Sequence, residues 1–134
     1  MEDCIFCKIV KKEIPCTQIF ENEKVLAFLD IQPTNLGHTL VIPKKHFRNA
    51  LETPDEIISE IMKTGKKIGK ALQKNGAHGI NLSLNNEEAS GQTIFHTHLH
   101  VIPRFSDDGH KIWNTKKYKD GELNKIAEEI ISVL

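Results

Sequence analysis

Apolar positions recur along the chain with two periods, and the places where the period changes divide it into elements. Residues 4–12 read as a short helix that stops before Pro15, and Ile19 with Phe20 as a brief extended piece. Residues 25–31 and 38–43 are β-rich runs separated by Gln32-Pro33-Thr34-Asn35-Leu36-Gly37, whose Pro33 and Gly37 are turn signals, so the two runs are expected to pair antiparallel. Thr53-Pro54-Asp55-Glu56 is a helix start, with Thr53 as N-cap, Pro54 in the first helical position and Glu56 closing a capping box. Ile57, Ile58, Ile61, Met62, Ile68 and Leu72 then keep helical spacing until Asn75-Gly76, which predicts a long middle helix covering one face of a sheet. Ile80, Leu82 and Leu84 alternate with Asn81, Ser83 and Asn85, the period of a half-buried strand. A polar loop over residues 85–92 returns the chain to a further strand. Leu123, Ile126, Ala127, Ile130 and Ile131 form one stripe of a terminal helix, which predicts a packing role. The alternation is that of an α+β class in one domain, residues 1–134.

Composition narrows the functions. Eighteen basic side chains balance eighteen acidic ones, so no global field draws the chain to nucleic acid or to an anionic membrane, and an anionic ligand needs a local site. The N-terminal stretch MEDCIFCKIVKKEIP lacks a long apolar run behind a basic start, which predicts a cytoplasmic protein. Three cysteines, two of them in Cys4-x-x-Cys7, do not make a secreted disulfide framework; a metal site or reduced thiols fit better.

The densest chemistry is FHTHLHVIPR, residues 95–104. Side chains alternate along a strand, so His96, His98 and His100 are expected to share one face at intervals of ~6.6 Å, twice the ~3.3 Å rise. A lone histidine is usually a hydrogen-bonded core residue. Three alternate ones among seven in 134 residues are a site candidate instead. Two chemistries suit the row: metal binding, as in three-histidine zinc hydrolases, and nucleophilic attack by a neutral imidazole. Asn85, Ser90, Gly91, Gln92 and Thr93 lie just upstream and offer hydroxyl, amide and backbone N–H donors around a permissive glycine, groups that hold a phosphate.

His96-Thr97-His98-Leu99-His100-Val101-Ile102 matches the pattern His-φ-His-φ-His-φ-φ, φ being apolar, with Thr97 the one less apolar position. Cys4-Ile5-Phe6-Cys7, Glu13-Ile14-Pro15, Leu26-Ala27-Phe28-Leu29-Asp30-Ile31, Gly37-His38-Thr39-Leu40-Val41-Ile42-Pro43-Lys44-Lys45-His46 and Ser90-Gly91-Gln92-Thr93 follow in family order. The chain thus resembles the histidine triad (HIT) family, in its Hint-like branch, over residues 4 to 113. The resemblance implies an antiparallel sheet of about five strands with a middle and a C-terminal helix, and a homodimer that continues the sheet. It implies nucleotidyl hydrolysis or transfer at the α-phosphate of a purine nucleotide conjugate, of AMP or GMP, with phosphoramidates such as AMP-lysine favoured. His98 would be the nucleophile, and His96, His100 and His38 would complete the catalytic set, the last two holding phosphate oxygens or orienting His98. Gly91, Gln92 and Thr93 would contact the phosphate, Asn85 the ribose or phosphate, Asp30 the ribose hydroxyls. Phe6, Ile14, Phe28 and Ile31 would sandwich the purine, although each also suits an ordinary core.

Cys4, Cys7, His46 and His96 make a complete Cys2His2 set for structural zinc, carried by some bacterial members of that family. Strand alternation would keep His96 beside His98, so this assignment needs a bend or twist at Phe95-His96. Cys16 is left over as a small hydrophobe. The competing readings are a dinucleoside polyphosphate hydrolase, a non-catalytic zinc-stabilised purine nucleotide binder and a three-histidine metallohydrolase.

Overall fold

The computed structural model describes residues 3–134. Five strands, β1 (Gln18–Glu21), β2 (Val25–Leu29), β3 (Thr39–Pro43), β4 (Gly79–Leu84) and β5 (Leu99–Arg104), form one antiparallel sheet in the order β1-β2-β3-β5-β4. Helix α1 (Ile5–Val10) precedes them, α2 (Asp55–Lys74) links β3 to β4, and α3 (Glu122–Ile131) ends the chain. This is the expected α+β architecture.

The sheet separates two apolar clusters, because alternate residues of β2, β3 and β5 point to opposite faces. Val25, Ala27, Val41, Leu99 and Val101 meet Ile57, Ile61 and Ile68 of α2 on one face. Leu26, Phe28, Leu40 and Ile42 meet Phe6 and Ile9 of α1 on the other. Helix α2 lies close to β5 because Gly65 presents no side chain there; a Cβ at that position would stand 2.4 Å from Leu99 Cδ2. With Leu99 and Val101 committed to the α2 side, His100 is turned to the opposite face, opposite Leu40 and Ser83 in register.

Three local expectations are corrected. Pro54, not Thr53, is the N-cap of α2, and it makes no side-chain capping bond. The Thr53 hydroxyl is diverted to Asn49 O at 2.7 Å and Thr97 Oγ1 at 2.7 Å, a buried tertiary contact that competes with the cap. The three histidines are not one strand face: β5 begins at Leu99, so only His100 lies in the ladder. Finally, the apolar stripe of α3 is not part of the core of its own chain, and only Ile126 of the stripe is half-buried. None of its residues is buried, and Leu123, Ile130 and Ile131 are exposed. No helix among the described residues is long and apolar enough to cross a membrane.

Candidate functional site

The approach to β5 is bent over residues 94–96, and that bend sorts the histidines. Thr97 N donates to Phe47 O at 2.8 Å, tying this segment to the chain just after β3. His96 is fully buried and faces the N-terminal helix and His46, whereas His98 and His100 face one another with ring centroids 4.9 Å apart. Phe6 lies edge-on to both groups, 5.8 Å from the His96 ring and 5.2 Å from that of His98.

Carbonyl oxygens only accept and backbone N–H groups only donate, so their contacts fix the imidazole tautomers. His98 Nδ1 lies 2.7 Å from His96 O and must carry the hydrogen, which leaves a lone pair on His98 Nε2. Thr34 N donates to His38 Nδ1 at 3.0 Å, so the hydrogen of neutral His38 sits on Nε2 and points at His100 Nδ1, 2.9 Å away. His100 in turn carries its hydrogen on Nε2. The row therefore pairs an imidazole with a free lone pair, His98, with one that presents an N–H, His100.

All three are held neutral. Burial pushes His100 down to about 4, helped by the charges that His98 and His38 would carry. Burial likewise lowers His38 and His98, partly offset in His38 by Asp30 and in His98 by the His96 carbonyl and by Asp30. Asp30 Oδ2 stands 3.7 Å from His38 Nε2, while its Oδ1 accepts from Gln32 N at 2.9 Å.

The purine-site candidates divide. Phe6, Phe28 and Ile14 belong to one apolar cluster, with Phe6 and Phe28 edge-to-face at 5.6 Å, whereas Ile31 is 95% exposed at its margin. In the loop 85–93, Gly91 has φ +97 and Asn85 lies against it; Thr93 is exposed. Gln92 is turned inward. Its amide accepts from Glu87 N at 2.8 Å and donates to Arg48 O at 2.7 Å and Ile94 O at 3.1 Å, so in this structure it shapes the loop from inside. Two side chains that the sequence did not single out brace the same loop. Arg48 donates twice to Glu87, at 2.8 and 2.7 Å, and Asn49 once at 2.6 Å, which holds Glu87 at φ +73, a conformation rare outside glycine. A positive φ at a glutamate leaves no mark in sequence, so nothing could have flagged it.

Cys4, Cys7, His46 and His96 converge. Their ligand atoms lie within 4.8 Å of one another. His46 Nδ1 and His96 Nδ1 are 3.2 Å apart, and His96 Nδ1 is 3.3 Å from Cys4 Sγ and 3.6 Å from Cys7 Sγ; Cys7 Sγ to His46 Nδ1 is 3.4 Å. For zinc bonds of about 2.05 Å to nitrogen and about 2.3 Å to sulfur, tetrahedral edges are roughly 3.3 Å between nitrogens and roughly 3.5 Å from nitrogen to sulfur. The set is compatible with that ion. His96 Nε2 donates to Pro43 O at 2.8 Å, which turns the unprotonated Nδ1 toward the thiols, the usual outer support of a metal-bound imidazole. Burial pushes His96 down to about 4 and, together with Cys4, pushes the Cys7 thiol up to about 11; a dication at the centre reverses the thiol's preference.

A model of the HIT domain matches residues 11–107. An uncharacterized HIT-like protein of Methanocaldococcus jannaschii is 44% identical, over 95% of this chain and 98% of its own length. The adenosine 5'-monophosphoramidase of Schizosaccharomyces pombe is 40% identical, over 96% of each chain. The crystal structure of a zinc-bound histidine triad family protein from Mycobacterium smegmatis superposes with a TM-score of 0.77 at 35% identity, covering 99% of both chains.

Proposed function

The chain belongs to the HIT family, and from that membership we propose that it is a purine nucleotide hydrolase that cleaves nucleoside phosphoramidates of the AMP-lysine type through a nucleotidyl-histidine intermediate. One observation carries this reading: His98 has its Nδ1 hydrogen committed to His96 O and its Nε2 lone pair free, beside an imidazole that presents an N–H. Attack of Nε2 on the α-phosphorus forms a P–N bond as the bond from phosphorus to the leaving amine breaks, the amine nitrogen gaining a proton from solvent. Water then attacks phosphorus, the bond to His98 breaks, and the proton released from the water returns to solvent, restoring the neutral imidazole. His100 Nε2–H and the Gly91 region, with Asn85 and Thr93, are assigned to the phosphate oxygens and the leaving group, where most catalytic stabilisation is needed. Asp30 takes the ribose hydroxyls. Phe6, Ile14 and Phe28 form the purine wall, with Ile31 at its rim. Gln92 acts through the loop it shapes. Kinship to a named monophosphoramidase supports the substrate class.

Turnover of an adenosine phosphoramidate by the purified protein tests the proposal, and its pH dependence sharpens the test. The working forms are neutral, and burial has moved these imidazoles below their ordinary pKa of about 6.5. The rate should therefore hold its plateau at neutral pH and fall to half only below pH 6.5, as the lowered imidazoles take up protons. No turnover at any pH contradicts the proposal and leaves a nucleotide binder. A rate that halves at or above pH 6.5 contradicts the assignment of neutral, buried imidazoles.

Cys4, Cys7, His46 and His96 are assigned to structural zinc, outside the chemistry. We also assign a homodimer: β4 has no strand on its outer side among the described residues, and Leu82 of β4 and Leu123, Ile130 and Ile131 of α3 are exposed. Sedimentation at micromolar concentration should give twice the chain mass of 15.2 kDa; a monomer rejects the assignment.

A further inference from the structure

The loop 30–38, between β2 and β3, carries no side chain that reaches His38 Nδ1, yet it determines which nitrogen of His38 holds the hydrogen, through the backbone N–H of Thr34. What places that N–H is a set of fasteners on the loop. Asn35 Nδ2 donates to Pro103 O at 2.8 Å, at the end of β5, and to Asp108 Oδ2 at 3.0 Å. Asn35 O accepts from His38 N at 3.0 Å, so the residue grips the loop from both its side chain and its backbone. His110 Nε2 donates to Thr34 O at 2.9 Å. Asp108 is itself immobilised, accepting from Arg104 Nε at 2.7 Å and Nη2 at 3.2 Å, from Phe105 N at 3.0 Å and from His110 N at 3.0 Å. The turn after β5 and the loop before β3 are thereby one unit, anchored on the two strands that carry His100 and precede His38.

We propose that Asn35 is a positioning residue for the reaction: by fastening the loop to the end of β5 it holds the Thr34 N–H against His38 Nδ1 and so sets the tautomers of both His38 and His100. The two neutral tautomers of imidazole are close in free energy, so a neighbouring donor decides between them. With the Thr34 donor in place, His38 donates to His100 Nδ1 and His100 turns an N–H outward. Without it, His38 can carry its hydrogen on Nδ1; its Nε2 then accepts from His100 Nδ1, and His100 faces the site with a lone pair. An N–H stabilises phosphate oxygens and a lone pair repels them, so one misplaced loop donor inverts the polarity of the site two imidazoles away. The catalytic consequence rests on the function proposed above; the tautomeric one does not.

Two variants test it, Asn35→Ala, which removes the fastener, and Thr34→Pro, which removes the N–H itself. Two-bond nitrogen–proton correlation spectra of 15N-labelled protein at pH 7.5 distinguish Nδ1–H from Nε2–H imidazoles. The wild type should show Nε2–H for both His38 and His100. In either variant that folds, judged by unchanged His96 and His98 signals, His38 and His100 should shift together toward Nδ1–H. Hydrolysis of the adenosine phosphoramidate should then lose at least about tenfold in kcat with KM changed less than about threefold. Nε2–H patterns that survive in the folded variants overturn the proposal, as does a tautomer shift with kcat unchanged. Should the wild type turn over no phosphoramidate, the function reading fails, and the spectra alone decide whether the loop sets the tautomers.

Discussion

Replacing His98 by alanine is expected to abolish turnover, by at least about 10³-fold, because the covalent step then has no nucleophile. Neither neighbour can substitute. His96 is fully buried, with Nε2 committed to Pro43 O and Nδ1 among the cysteines, and His100 Nδ1 is occupied by His38. Nucleotide affinity should survive, since recognition is assigned to Asp30, Phe28, Asn85 and the loop around Gly91. The variant is expected to keep AMP affinity within about tenfold, or ~1.4 kcal/mol. Steady-state kinetics and calorimetric titration of His98→Ala, His100→Ala and His96→Ala check this together. If His98→Ala keeps wild-type turnover while His100→Ala loses it, the nucleophile is misassigned; if all three turn over normally, the triad has no catalytic role.

The second large effect concerns Cys7. Helix α1 has six residues, too few to be stable alone, and it is held by Phe6 and Ile9 in the sheet cluster and by two of the four candidate zinc ligands at its start. Cys7→Ser should lower zinc content and melting temperature together, since binding free energy at such a site is folding free energy. A loss of roughly 3 kcal/mol shifts the midpoint of a chain this size by on the order of 10 °C. Chelation of the wild type should reproduce the shift and leave the variant unmoved. Because Phe6 also lies against His98, the loosened helix should depress turnover secondarily, with a loss smaller than that of His98→Ala. Full zinc occupancy in Cys7→Ser, or an unchanged melting temperature, removes the assignment.

The sheet was legible in two ways: β2 and β3 are continuous β-rich runs because both of their faces are buried, one against α2 and the other against α1, and α2 keeps its helical stripe. The resemblance placed the Cys2His2 set, and the geometry brought its four ligands together once the bend before β5 turned His96 away from His98. What sequence could not carry was the competition for polar groups. Thr53 had a good local cap to make and bonds Thr97 instead, and Gln92 was a plausible phosphate contact whose amide closes its own loop. Such choices depend on partners 44 residues away in sequence, beyond any local pattern. Asn35 lies within a turn signal in the sequence, and its bonds to Pro103 and Asp108 exist only after β5 is in place. The stripe of α3 was legible as apolar, but periodicity does not say what covers it.

The covalent intermediate is the central claim, and a mass measurement reaches it most directly. Wild-type protein mixed briefly with an adenosine phosphoramidate, quenched in alkali to preserve the acid-labile P–N bond, and measured intact should gain the mass of one adenylyl group, located on His98 by peptide mapping and absent from His98→Ala. Turnover with no adduct in quenched samples spanning the first turnover, or an adduct that persists in His98→Ala, contradicts the account.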